Sequence, residues 1–354
     1  MAELTYNEEQ RQKNTIHLRE IISQLPGFAD VFFRSIAQNT SVKTRIAYAY
    51  DLKIFFAYLT EYHPRFKGKN ISDIDISDMK SVQSEDIDRF MEYVTYYEKP
   101  NPQNPEEVVA HTNDEKGKLR KLSAIRRMYK YLYSKKLVDA NPAGIVEGPK
   151  IHEKPIVRMD VNEMCNFLDE VENGSNLSKG QKKYHSHTQK RDLAIVTLML
   201  GTGMRVSECV GINKNDINFD SNAVKVTRKG GNEVILYFGE EVREALIDYI
   251  EERKNNPADT EDALFISMQG KRINVRTVQN LVKKYAKASV QIKNISPHKL
   301  RSTYGTNLYN ETGDIYLVAD VLGHADVNTT KKHYAQMEES RRRSAPKFVK
   351  LRRE

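Results

Sequence analysis

"AVKVTRKGGNEVILYF", residues 223–238, is the clearest strand–turn–strand in a chain of 354 residues. β-Branched runs flank a Gly-Gly pair, and glycine takes the left-handed backbone of a tight hairpin turn without steric cost. Almost everything around it carries helical spacing instead. On its N-terminal side "KRDLAIVTLMLGTG" (190–203) is an almost wholly apolar helix ending at glycine, the pattern of a buried helix. Earlier still, Asp160 followed by Glu163 forms a capping box that opens "VNEMCNFLDEV". Beyond the hairpin come a helix from about Glu241, a short strand "LFIS" (264–267) and further helices. This half is therefore mainly α with a small antiparallel β-sheet.

The first half reads as helical throughout. Residues 8–24 form a polar helix that stops at Pro26-Gly27. In "SVKTRIAYAYDLKIFFAYLTEYHP" (41–64), Ile46, Ala49, Leu52, Phe55, Phe56 and Leu59 recur at helical spacing, with Pro64 past the end. "VQSEDIDRFMEYVTYY" (82–97) starts with Ser84 as N-cap and acidic residues in the first turn. "EKPNPQNPEE" (98–107) crowds three prolines together and reads as a loop. "DEKGKLRKLSAIRRMYKYLYSKKL" (114–137) is a basic helix with Tyr129, Leu132 and Tyr133 on an apolar stripe. "ANPAGIVEGPKIHEKP" (140–155) has no period and reads as a linker. The expected organisation is a helical extension over 1–40, a helical domain over 41–140, a linker over 141–157, a second domain over 158–336 and a basic tail over 337–354.

Composition narrows the partners. Lys and Arg number 56 against 48 acidic residues, a net charge of +8, which suits a polyanion such as nucleic acid. No apolar stretch has the length of a membrane span, and "MAELTYNEEQ" lacks the layout of a signal peptide, so a cytoplasmic protein is expected. Cys165 and Cys209 have no partner at metal-ligand spacing, which speaks against zinc ribbons and disulfide scaffolds, and both read as core residues.

Several side chains carry chemistry, each with a plainer alternative. Arg205 in "TGMRVSE" can present a planar fork to a phosphate, or simply pair with Glu208. His298 and Arg301 in "PHKLRSTYGTNLY" stand three apart on one helix face; a guanidinium beside an imidazole repels a metal but suits an anion. Lys229 at the hairpin tip is a proton donor or phosphate contact, or a solvated turn residue. His324 and His333 in "LGHADVNTTKKHY" (322–334) lack a third donor, and His185 and His187 fall in a polar loop, so no metal site is expected. Lys116, Lys118, Arg120, Lys121, Arg126, Arg127 and Lys130 make a basic helical stretch suited to phosphate contacts, or a charged face open to solvent.

Taken in order, Arg205, Lys229, His298-x-x-Arg301, His324 and Tyr334 resemble the tyrosine recombinases, the family of phage integrases and Xer recombinases. The likeness runs from about Ser41 to Met337 and includes "TRIAYAYDLKIFFAYL", similar to the opening helix of the family's core-binding domain. Ser302, Ile212 and His333 depart from the family's usual histidine, leucine and aliphatic residue. The resemblance implies a two-domain DNA clamp, in which a helical core-binding domain and a catalytic domain hold double-stranded DNA at specific sites. It implies that Tyr334 attacks the scissile phosphate to give a 3′-phosphotyrosyl link and a free 5′-hydroxyl. Arg205 and Arg301 would grip the non-bridging oxygens, His298 would manage the tyrosine proton, His324 would add a hydrogen bond, and Lys229 would protonate the leaving oxygen. Neither metal, ATP nor any other cofactor is implied. Strand exchange through a Holliday junction in a homotetramer is, with the basic tail docking on a neighbouring subunit and an accessory or directionality protein in some systems. The biological role would be Xer-like resolution at the nucleoid or integration of a mobile element; a type IB topoisomerase, with nearly the same residues, is the alternative.

Overall fold

A computed structural model of the chain describes residues 4–101, 104–152, 157–228, 230–254, 259, 261–290, 293–323 and 327. The chain divides into two compact units, residues 1–153 and 154–354.

In the first unit, Thr5 and Glu8 close a capping box on α1 (Tyr6–Ile22). A second helix, α2 (Gly27–Ser35), follows directly, with Pro26 as its N-cap. The Pro-Gly pair thus ends one helix and begins another, because the proline's missing N–H falls where a helix has no acceptor for it. Ser41 caps α3 (Val42–Tyr62) by accepting from the Thr44 N–H. The short α4 (Ile76–Met79) precedes α5 (Ser84–Tyr93). Gln83, not Ser84, is the N-cap of α5, since the Asp86 carboxylate reaches back to the Gln83 N–H at 2.9 Å. The basic helix is α6 (Glu115–Ser134). Leu18, Phe32 and Phe33 join Phe55, Phe56, Phe90 and Tyr129 in one core, so α1 and α2 pack as part of this unit.

The proline-rich stretch is not a loop. β1 (Tyr96–Asn101) and β2 (Asn104–Thr112) pair antiparallel, Pro100 opposite Val108, with the register slipping between Pro100 and Asn101. A two-stranded ribbon has two open edges, and a proline facing an edge removes no ladder hydrogen bond.

In the second unit, the Asp160–Glu163 capping box opens α7 (Val161–Asn173), followed by α8 (Lys179–His185). His185 ends α8 rather than lying in a loop; it is buried, 2.9 Å from the Val171 carbonyl oxygen through Nε2 and edge-on to Tyr285. α9 (Gln189–Thr202) is buried along Ala194–Leu200 and stops at Gly203, whose φ of 64° is left-handed. A four-residue helix, α10 (Val206–Cys209), leads to the sheet β3 (Ile217–Asn218), β4 (Ala223–Thr227), β5 (Glu233–Tyr237), in that order and antiparallel. Then come α11 (Glu240–Lys254), α12 (Val275–Ser289), α13 (Pro297–Thr312) and α14 (Ile315–Leu322). Cys209 is buried, and burial pushes its thiol up to about 12, whereas Cys165 on α7 is exposed rather than core. No helix among the described residues is long and apolar enough to cross a membrane.

"LFIS" forms no strand, only isolated bridges Asn213–Ala263 and Ile266–Arg272. The buried Arg253 guanidinium takes the Ala263 and Leu264 carbonyls, supplying donors that a neighbouring strand would otherwise provide. Arg253 also grips Asp259, and its hydrogen bonds hold that carboxyl down to about 2, against an ordinary value of 3.8. A depressed carboxyl contributes stability that is full above its unfolded value and fades as pH falls toward the folded one. Arg253→Gln is therefore expected to cost about 3–5 kcal/mol at neutral pH, the range for breaking a buried pair. Part of the gap from the parent should close between pH 4 and pH 2 in thermal melts; a gap that stays constant there would show that Asp259 is not the partner that matters.

Candidate active site

Arg205 is the N-cap of α10, one residue beyond Met204 and two beyond the glycine that ends α9. Its backbone N–H and its Nη1 each donate to the Glu208 carboxylate at 2.8 Å, and Glu208 is buried. The plainer reading of Arg205 is thus present in the geometry, but it accounts for only one end of the fork. Nη2 reaches the carbonyl oxygen of Gly323, 118 residues away, at 3.3 Å. The buried carboxylate orients the guanidinium, and the side chain remains partly open to solvent.

Arg301 comes to the same place from α13. It is 4% exposed, donating from Nη1 to the Gly203 carbonyl at 2.7 Å and from Nη2 to the Leu322 carbonyl. The two arginines, 96 positions apart in sequence, therefore meet on the last carbonyls of α14. A helix C-terminus exposes unpaired carbonyls and carries partial negative charge, so guanidinium forks settle there. The approach depends on Gly203. A Cβ at that position would lie 2.4 Å from the Tyr304 ring and 2.9 Å from Leu322, so α9, α13 and α14 could not close together.

His298 stands one turn before Arg301 on α13 and is exposed. Lys229, His324, His333, Tyr334 and the tail over 337–354 lie outside the described residues. The chain enters that unassigned stretch directly from Gly323, where both arginines converge.

One residue that the sequence reading passed over belongs to this cluster. Arg228, just before Lys229, donates from Nη2 to the Val321 carbonyl at 2.6 Å and from Nη1 to the Asp320 carbonyl at 3.4 Å. The available signal was a second cation beside the lysine at the hairpin tip. Nothing local to the hairpin shows that it reaches α14.

The basic residues of α6 divide by environment. Lys116, Arg127 and Lys130 are exposed, and Lys118 is half-buried. Arg120 pairs with the buried Asp51 of α3, and Lys121 is itself buried, 3.5 Å from Asp51 and bonded to Asn113 Oδ1 at 2.7 Å. Burial pushes the Asp51 carboxyl up in spite of both cations, and burial pushes the Lys121 ammonium down. Arg126 bonds the Ala143 and Val146 carbonyls. Arg120, Lys121 and Arg126 thus spend hydrogen bonds inside the unit, Arg120 while still partly exposed, whereas Lys116, Arg127 and Lys130 lie on the exposed face of α6.

Residues 157–341, more than half of the chain, match the phage integrase family. The tyrosine recombinase XerC of Caldanaerobacter subterraneus subsp. tengcongensis is 33% identical over 320 residues, covering 88% of this chain and 82% of the relative. XerC of Leptospira interrogans serovar copenhageni is 30% identical over 300 residues, covering 84% and 85%. Among solved structures, XerH site-specific recombinase bound to palindromic difH substrate aligns with a TM-score of 0.64 at 17% identity, over 94% of this chain and 88% of that one. A lambda integrase dimer bound to a COC′ core site aligns with a TM-score of 0.59 at 13% identity, over 86% and 93%. Identities that low establish the fold and no more, while the family match and the XerC relatives establish descent. This chain belongs to the phage integrase family of tyrosine recombinases.

Proposed function

We propose that the protein is a site-specific DNA recombinase that breaks and rejoins strands through Tyr334. The observation that carries the reading is the convergence of Arg205 and Arg301 on the end of α14, directly before the segment bearing His324 and Tyr334. Two guanidiniums held in one place by buried partners form a ready site for a doubly oxygenated anion, the non-bridging face of a phosphodiester.

The chemistry then follows from the inventory. The Tyr334 phenol oxygen attacks phosphorus, its proton passing toward His298, and the bond to the 5′ oxygen breaks as Lys229 supplies that oxygen with a proton. Arg205 and Arg301 stabilise the charge that builds on the non-bridging oxygens; one such preorganised donor is worth about 10²–10³-fold in rate. His324 adds a hydrogen bond. The phosphotyrosine keeps the energy of the broken phosphodiester, so a 5′-hydroxyl from a second duplex reverses the step without ATP or metal. Strand exchange proceeds through a Holliday junction in a homotetramer whose basic tails join neighbours, with the exposed cations of α6 on the DNA backbone. The enzyme works in the cytoplasm, on nucleoid or mobile-element DNA. Its XerC relatives are recombinases, which favours exchange between sites over the relaxing activity of a type IB topoisomerase.

The test is incubation with nicked suicide duplexes from the host chromosome and element ends, in excess EDTA. A covalent protein–DNA band that survives denaturation is expected. Cleavage that needs an added divalent metal would count against the mechanism, and relaxation of plasmids lacking any target site, as fast as recombination, would favour the topoisomerase.

A further inference from the structure

We propose that Arg228 is a positioning residue, acting through its neighbour Lys229, the proton donor of the reading above, on which this inference rests. The hairpin turns on two glycines. Gly230 and Gly231 sit at φ 101° and 93°, and a Cβ added at either would meet nothing within 4 Å. The rate of proton delivery depends on where the turn that carries the donor is held, because each misplaced arrangement of a catalytic group subtracts from it.

The base of the turn, in contrast, is tied down. The Arg228 N–H donates to the Asn232 carbonyl at 2.8 Å, and the Gly231 N–H to the Arg228 carbonyl at 3.1 Å, so residue 229 is bracketed by closed hydrogen bonds. From there the Arg228 side chain leaves the hairpin altogether and grips the Asp320 and Val321 carbonyls, 92 and 93 residues on. Leu322 and Gly323, the next two residues, offer their carbonyls to Arg301 and Arg205. Three guanidiniums from three separate segments therefore share one helix end, and the hairpin is referenced to the same end of α14 as the phosphate-gripping pair.

The contact is also close-fitting. Gly323 has φ 59°, and a Cβ there would lie 2.2 Å from Arg228 Nη1, so the helix ends in the residue that leaves room for this guanidinium. Arg228 Nε is buried and has no hydrogen-bond partner among the described residues, an arrangement poorly suited to a side chain kept only for stability. Fastening one end of the turn to α14 ties the position of the proposed donor to the helix end that the phosphate-gripping pair shares.

A leaving-group substitution separates this role from a structural one. Sulfur in place of the bridging 5′ oxygen departs as a thiolate without needing a proton, since a thiol is far more acidic than an alcohol. In single-turnover cleavage at saturating DNA, Arg228→Ala is expected to slow reaction on ordinary DNA by about 10–100-fold, within the span of general acid catalysis. On sulfur-bridged DNA the deficit should shrink to within about threefold, as it should for Lys229→Ala, with DNA affinity unchanged. Arg228→Lys keeps the charge with a single ammonium and should fall between, which covers the case of a poorly folding alanine variant. If Lys229→Ala is rescued by sulfur and neither Arg228 variant is, the inference is overturned and Arg228 belongs to the fold alone. If Lys229→Ala itself is not rescued, the proton-donor reading falls, and this one with it.

Discussion

Replacing Tyr334 with phenylalanine is expected to abolish the covalent protein–DNA band on suicide duplexes while leaving DNA retention in gel shifts at the parent level. The substitution deletes one oxygen and keeps the ring, so packing is held nearly constant and the loss reports chemistry. A weak nucleophile, a phenol attacks only where cations stabilise the phenolate and the phosphorane-like charge that follows. With no oxygen at position 334 the attacking atom is gone, and the expected loss is to background rather than to a fraction. His333 is the informative control, because it stands next to the nucleophile and carries a nitrogen that can itself attack phosphorus. His333→Ala is expected to keep the band. An adduct formed by Tyr334→Phe and lost in His333→Ala would reassign the nucleophile.

The second large effect belongs to Arg301. Its side chain is almost wholly buried and bonds the Gly203 and Leu322 carbonyls, so one residue joins the ends of α9 and α14, besides the phosphate role proposed for it. Arg301→Ala should lose about 10²–10³-fold in cleavage for the missing donor. The carbonyls left behind add a stability cost of about 1–3 kcal/mol each if water does not reach them. The two contributions separate with Arg301→Lys and with a neutral substrate. Lysine keeps the charge but cannot span two carbonyls and a phosphate at once, so melting should recover more than rate. A methylphosphonate at the scissile position carries no charge on the replaced oxygen and needs less cationic help. The rate deficit of the lysine variant should narrow on it, whereas a deficit of equal size on both substrates would make Arg301 a structural residue only. Arg205, whose orientation rests on the buried Glu208, offers the milder counterpart.

What the sequence by itself determined is local. Capping at Asp160, the apolar run that makes α9 a buried helix and the Gly-Gly hairpin depend on neighbours a few residues away, and each is present in the structure. Local reasoning failed where distant partners overrode it. The prolines around residue 100 were compatible with a ribbon that has open edges, and "LFIS" lost its strand because arginine side chains, Arg253 at Leu264 and Arg191 at Ile266, took carbonyls that a strand partner would have used. The candidate site lies across this divide. Its residue types and their order were legible in one dimension, which is why they resembled a family at all. That Arg205, Arg228 and Arg301 share one helix end was decided only by the tertiary structure. The C-terminal carbonyls of α14 are unpaired by the geometry of any helix, but which side chains reach them depends on how closely α9 and α13 pack, and a glycine at 203 sets that distance.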